Sequence, residues 1–125
     1  MKLEFNNNEI CAIYKVAKMM AEADGVVLHE ELKGIEDEMT KLGINGTDYD
    51  KVVLAGERLE AIEAFSIIHD MDIQKKKYVS AFLGYYISVD DDIADAEMAL
   101  WSFIIQVCNL PKMNIRQAID IYRHS

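Results

Sequence analysis

Apolar residues recur at spacings of three and four along most of the chain, which is the pattern of amphipathic α-helices. Asn7 and Asn8 can cap the first predicted helix, and glycine at position 25 can adopt the left-handed conformation that ends it. The apolar face of this helix comprises Ile10, Tyr14, Ala17 and Met20 or Ala21.

The next three segments predict a helix over about 29–42, a short helix from the Thr47–Asp50 turn to about Gly56, and a helix over about 59–68. The apolar residues of the 29–42 helix are Leu32, Ile35, Met39 and Leu42. The 59–68 segment is apolar on nearly every side, which predicts a buried helix rather than an amphipathic one.

Three more helices are predicted in the second half of the chain. Asp72 can cap a long helix that ends near Val89, a second helix covers about 95–109 before Pro111, and the last begins at about Asn114. Their apolar faces comprise Val79, Phe82, Leu83, Tyr86 and Ile87, then Met98, Trp101, Ile104, Ile105 and Cys108, then Ile115, Ala118, Ile119 and Tyr122. No run alternates apolar and polar residues for long enough to predict a strand, so we expect an all-α bundle of about seven helices.

One helical unit occurs twice in the sequence, with a shift of 66 residues. Asp24 aligns with Asp90, and Glu31 aligns with Glu97. The apolar positions align as well: Val27 with Ile93, Leu32 with Met98, Ile35 with Trp101, Met39 with Ile105, Leu42 with Cys108 and Ile44 with Leu110. Each unit is a helix, an acidic turn, one inward aliphatic residue and a helix with Glu in its first turn. The repeat predicts two related halves within a single domain over 1–125.

The acidic turns allow two interpretations. In the structural one, Asp accepts backbone N–H bonds and Glu lies near the positive end of the new helix, each contributing about 1 kcal/mol. In the functional one, the carboxylates converge on a divalent cation such as Ca²⁺ or Mg²⁺, which prefers several oxygen ligands. The motif D-G-x-[IV]-x-x-x-E is the second half of an EF-hand loop, but Met20 and Tyr86 stand where the first carboxylate should be. Neither unit is therefore an intact EF-hand.

The second turn is the better candidate for a metal site because it is more acidic than the first. Five carboxylates within eight residues repel one another unless a cation or solvent screens them. A solvated acidic loop is the alternative. The candidate metal ligands over both turns are Asp24, Glu31, Asp90, Asp91, Asp92, Asp95 and Glu97.

Composition and charge narrow the class of protein. Apolar residues make up 51% of the chain and charged residues 28%, the balance of a globular protein. The net charge of −9 disfavours nucleic acid and anionic lipid, and suits cations or basic protein partners. The N-terminus lacks the apolar segment of a signal peptide, and the apolar stretch 98–110 is too short to cross a bilayer. We therefore expect a cytoplasmic protein in which Cys11 and Cys108 are reduced core thiols.

The two acidic segments, ADGVVLHEELKGIEDEMTKLGI (23–44) and VDDDIADAEMALWSFIIQVCNL (89–110), resemble the TerB-like domain of tellurite resistance proteins. The resemblance implies an all-helical fold of two related halves and a role in bacterial stress response or phage defence. It also implies metal or calcium binding through acidic residues and association with membrane-linked protein complexes. No catalytic reaction is established for the domain.

Carried over by position, the acidic residues of the family are Asp24 and Glu31 in the first unit and Asp90 and Glu97 in the second. The second unit departs from the family pattern, since Asp91 stands where glycine is usual. The usual capping polar residues are also replaced, by Leu28 and Ala94. A direct action on tellurite is disfavoured because an acidic protein repels an oxyanion.

The sequence shows no recognisable catalytic arrangement. His29, His69 and His124 are far apart, and there is no phosphate-binding loop or nucleophile elbow. We therefore predict a non-enzymatic module that binds a divalent cation through its acidic turns. The first alternative is an acidic domain that binds a basic or membrane-associated protein partner without metal. The second is a metal-dependent hydrolase.

Overall fold

A computed structural model describes residues 3–23, 25, 27, 29–44, 46–89 and 95–125, and these residues form seven α-helices and no strand. The all-α prediction is confirmed. The helices are α1 (Asn7–Glu22), α2 (His29–Lys41), α3 (Gly46–Arg58), α4 (Ala61–His69), α5 (Ile73–Ser88), α6 (Asp95–Val107) and α7 (Ile115–Arg123). None of the described helices is both long and apolar enough to cross a membrane.

The sequence repeat reappears in the bounds of the helices. α1 and α5 are both 16 residues long, and α2 and α6 are both 13 residues long. Within each pair the first residues are 66 positions apart, the shift at which the two sequence units align. α3 and α7 then follow in the same order.

The first turns of α1 and α5 are also equivalent. Asn6, rather than Asn7 or Asn8, caps α1: its side chain accepts a bond from the Glu9 amide (2.8 Å), and the Glu9 carboxylate accepts one from the Asn6 amide (2.9 Å). Asp72 caps α5 as predicted, through the Lys75 amide at 2.9 Å. The Lys75 ammonium also lies 2.9 Å from the Glu9 carboxylate, so equivalent residues of the two halves form an ion pair.

α2 and α6 end in the same way. Gly43 and Asn109 both have positive φ, 94° and 55°. In each case the following amide donates to the carbonyl four residues before the positive-φ residue, at 2.9 Å. α6 therefore ends through the left-handed conformation of Asn109, and not at Pro111.

The core forms around α1 and α5. α1 packs against α2, α3, α4, α5 and α6, while α5 packs chiefly against α7 and α6. The predicted inner faces of α1 and α5 are buried throughout. Cys108 is also buried and Cys11 is half-buried, and both are free thiols.

Four apolar residues expected in the core are exposed instead. They are Val27, Leu32, Ile62 and Met98. Helical spacing identifies the apolar face of a helix, but it does not show how far along that face a neighbouring helix extends. α4 illustrates this most clearly, because it buries only Ala64 and Ile68 completely and is not the enclosed helix that the sequence predicted.

Candidate functional site

Tyr86 of α5 lies where the two acidic units meet. Its buried hydroxyl donates to the backbone carbonyl of Glu31 in α2 at 2.9 Å. Burial raises the pKa of Tyr86 far above its usual value, and the negative charges of Glu31 and Glu97 raise it further. One carboxylate from each unit therefore lies within electrostatic range of the same hydroxyl.

The close approach of α2 to Tyr86 depends on a small residue. A Cβ atom added to Gly34 would lie 3.2 Å from a carbon of the Tyr86 ring. Gly34 thus lets the first turns of α2 approach the ring closely enough for the Glu31 carbonyl to accept the tyrosine hydroxyl bond. Glu97, in the first turn of α6, is only 5% exposed, so its side chain is also buried.

The predicted ligands divide into those the structure describes and those it does not. Glu31 and Glu97 occupy the first turns of α2 and α6, as predicted, and Asp95 is exposed at the start of α6. Asp24 and the run 90–92 lie outside the described residues. Within the described part of the chain, no three His, Cys, Asp or Glu side chains form a group that could hold a metal ion.

A second polar centre, which was not predicted from the sequence, lies at Glu38 of α2. Its side chain is 1% exposed and links three helices. The Tyr78 hydroxyl of α5 bonds to both carboxylate oxygens, at 3.0 and 2.9 Å, and the Tyr122 hydroxyl of α7 donates to one of them at 2.6 Å. The signal was present in the sequence, because Glu38 is three residues from Ile35 and aligns with the inward Ile104.

Burial and the neighbouring polar groups shift the pKa of Glu38 in opposite directions. Burial raises the pKa to about 7, although the bonds from Tyr122 and Tyr78 and the charge of Lys41 favour the ionised form. The Lys41 ammonium lies 3.8 Å from the centroid of the Tyr122 ring, which keeps this charge near the carboxylate. Glu38 therefore changes its protonation state near neutral pH.

An open cleft of about 1050 Å³ adjoins the Glu38 cluster. Tyr78 contributes to its wall, together with Lys41, Lys77, Glu4 and Asp120. Because acidic and basic side chains line it together, its charge does not select one class of ligand. The junction at Tyr86 differs, since the charged side chains that act on Tyr86 are both carboxylates.

Comparison with solved structures identifies a relative of this chain. No protein-family model matches the sequence, and no curated protein matches it. A crystal structure of a protein of unknown function from Porphyromonas gingivalis W83 matches with a TM-score of 0.87 and 35% sequence identity. The match covers 99% of this chain and 100% of that one. With this identity over the full length, the chain belongs to the same family as the Porphyromonas gingivalis protein.

Proposed function

We propose that this protein is a non-enzymatic binding domain that holds a divalent cation between its two acidic turns. The observation that supports the proposal is that the charges of Glu31 and Glu97, which are 66 residues apart in sequence, both raise the pKa of the buried Tyr86, whose hydroxyl donates to the Glu31 carbonyl. The resemblance of both turns to those of TerB-like domains supports the same ligand class and a bacterial stress-response setting.

The chemistry of the donor set fits Ca²⁺ or Mg²⁺. These hard cations bind oxygen ligands, about six to eight for Ca²⁺ and six in near-octahedral geometry for Mg²⁺, with water completing the shell. Glu31 and Glu97 would supply one carboxylate from each unit, and Asp24 and the run 90–92 would supply the others. Asp95 is a further candidate from the start of α6. Bringing these carboxylates together is unfavourable without a cation, because like charges at short range repel one another.

Thermal unfolding with Ca²⁺, Mg²⁺ or Mn²⁺, compared with a chelated sample, tests the proposal. A ligand present at 100 times its Kd stabilises the folded state by about 2.7 kcal/mol. For a domain of this size that corresponds to a rise in Tm of roughly 10 °C. We expect one of the three ions to raise the Tm, and the double variant Asp90→Asn with Asp92→Asn to lose that rise.

The matched control is Asp48→Asn with Asp50→Asn, which removes two negative charges from the exposed surface of α3. This control should keep the metal-induced rise. If both double variants lose it equally, the ions are screening net charge and do not occupy a site. A flat response of the parent protein to all three ions would reject cation binding and favour the metal-free interaction domain.

The hydrolase alternative makes a different prediction. Zinc-type catalysis uses histidine or cysteine ligands and an open coordination position. His29, the first residue of α2, is close in sequence to Glu31. Under the proposed function, His29→Ala leaves the metal-induced rise in Tm unchanged, whereas a hydrolase that used this histidine as a ligand would lose it.

A further inference from the structure

An apolar groove of about 460 Å³ lies between α4 and α6. Its walls include Ile62 and Phe65 of α4 and Phe103 and Val107 of α6. Three of these side chains are well exposed: Ile62 by 72%, Phe103 by 51% and Val107 by 42%. The rings of Phe65 and Phe103 pack edge to face, with centroids 5.9 Å apart, so the two walls are in contact at the base.

The apolar residues at these positions are particular to α6, because the equivalent positions of α2 are charged. Phe103 and Val107 align with Asp37 and Lys41 of α2, which are exposed and charged. Asp37 also forms a surface ion pair with Lys33 at 3.9 Å. The same helical face is therefore polar in the first half and apolar in the second. Clustered exposed apolar side chains of this kind mark a site of interaction.

α4 supplies the other wall of the groove. It packs on α1 and α6 through Ala64 and Ile68, which are fully buried. Ile62 and Phe65 lie on an adjoining face beside α6. α4 and the apolar face of α6 together form the groove.

The charges around the groove indicate the occupant. α4 and α6 contain no lysine or arginine, and the exposed Glu63 and Asp70 directly follow the groove residues Ile62 and His69 in the chain. A second copy of this chain would bring acidic side chains against acidic side chains. A basic partner would instead gain favourable charge interactions at the rim. We propose that the groove binds an amphipathic helix of a partner protein, with apolar residues facing the groove and Lys or Arg at its flanks.

The test uses a defined probe in the presence of chelator, so its outcome is independent of cation binding. The probe is a fluorescently labelled helix of Leu and Lys of roughly 18 residues, about five turns, compared with the same design in Leu and Glu. Anisotropy at physiological salt should show that the protein binds the Leu/Lys peptide. Ile62→Ser and Phe103→Ser should each weaken this binding by about 10-fold, since each removes an apolar contact.

Two matched controls remove equally exposed apolar side chains elsewhere. Ile73→Ser at the start of α5 and Leu54→Ser on α3 should leave the affinity unchanged. Equal affinity of groove and control variants for the peptide would overturn the proposal, and so would equal binding of the Leu/Glu peptide or no binding of either peptide. A parent protein that is dimeric in sedimentation and becomes monomeric with Ile62→Ser would also overturn it, because a second copy then fills the groove.

Discussion

The two halves of this protein share a backbone plan, and its polar centres lie at positions where equivalent residues of the two halves differ in chemistry. α1–α2 and α5–α6 have the same lengths and the same spacing, and α2 and α6 end through the same hydrogen-bond pattern. At one equivalent buried position, α2 carries Glu38 and α6 carries Ile104. The repeat thus determines the path of the chain, and single substitutions within it determine the chemistry.

A second pair of equivalent residues makes the contact between the two acidic units asymmetric. Met20 of α1 and Tyr86 of α5 align and are both buried, but only the tyrosine offers a hydroxyl. Tyr86 donates to the carbonyl of Glu31, in the opposite half, and the charges of Glu31 and Glu97, one from each half, raise its pKa. One half therefore supplies the residue that joins the two units.

The largest effect on stability is expected at Glu38, the residue equivalent to Ile104. The raised pKa of Glu38 means that the folded protein binds a proton more tightly than the unfolded chain does. Its contribution to stability is therefore fully present below the unfolded pKa and is lost as the pH rises through about 7. Glu38→Gln does not titrate, so from pH 4 to pH 8 the parent should lose about 3 kcal/mol relative to this variant.

Urea unfolding of both proteins at the two pH values measures this difference. Glu36→Gln, on the exposed side of the same helix, is the control and should differ from the parent by less than about 0.5 kcal/mol at either pH. A constant difference between the parent and Glu38→Gln at pH 4 and pH 8 would show that the buried carboxyl does not titrate in this range.

A second contrast concerns Gly84 of α5 and its equivalent, Lys18 of α1. A Cβ atom at Gly84 would lie 2.5 Å from the Cβ of Ala118 and 2.7 Å from the Trp101 ring. Gly84→Ala should therefore destabilise the protein by about 2 kcal/mol, even though alanine favours the helix, because α6 and α7 must both move away from α5. Lys18→Ala should change the urea midpoint little, by less than about 0.5 kcal/mol. Equal effects of the two substitutions would contradict the tight contact at Gly84.

The smallest effect is expected at the ion pair between equivalent residues, Glu9 and Lys75. Both side chains are largely buried, so their interaction is screened less than a surface pair would be. A double-mutant cycle with Glu9→Gln and Lys75→Met should give a coupling energy of about 1 kcal/mol. Glutamine keeps an oxygen that can accept the Asn6 amide bond, so the cycle isolates the ion pair. A coupling near zero would mean that the two first turns pack together without help from charge.

The features that depend on local residue spacing and on the repeat could be predicted from the sequence. The shift of 66 residues, the apolar faces of α1 and α5 and the Asp72 cap follow from helical periodicity and capping chemistry, and all are confirmed. The exposure of Ile62 could not be predicted in this way, because it depends on which helix packs beside α4. The same holds for the approach of Glu31 and Glu97 to Tyr86, which depends on how the two halves pack against each other.

Glu38 was predictable and was missed. It lies within the apolar stripe of α2 and aligns with Ile104, so both periodicity and the repeat placed a carboxylate on an inner face. What the sequence could not show is how that carboxylate is tolerated, because Tyr78 and Tyr122 reach it from helices 40 and 84 residues away. The end of α6 was predicted close to its place, but it was attributed to Pro111 and not to the left-handed conformation of Asn109. Asparagine adopts the left-handed conformation less readily than glycine, and Pro111 was the stronger local signal.

We propose that the two acidic turns form one cation site. Calorimetric titration of the protein with Ca²⁺ or Mg²⁺ tests this proposal most directly. The parent protein is compared with Glu31→Gln, Glu97→Gln and the double variant. One site shared by both turns predicts a stoichiometry of one ion per chain, a large loss of affinity in either single variant, and little further loss in the double variant. Two ions per chain with independent losses, or binding that neither substitution weakens, would contradict the account.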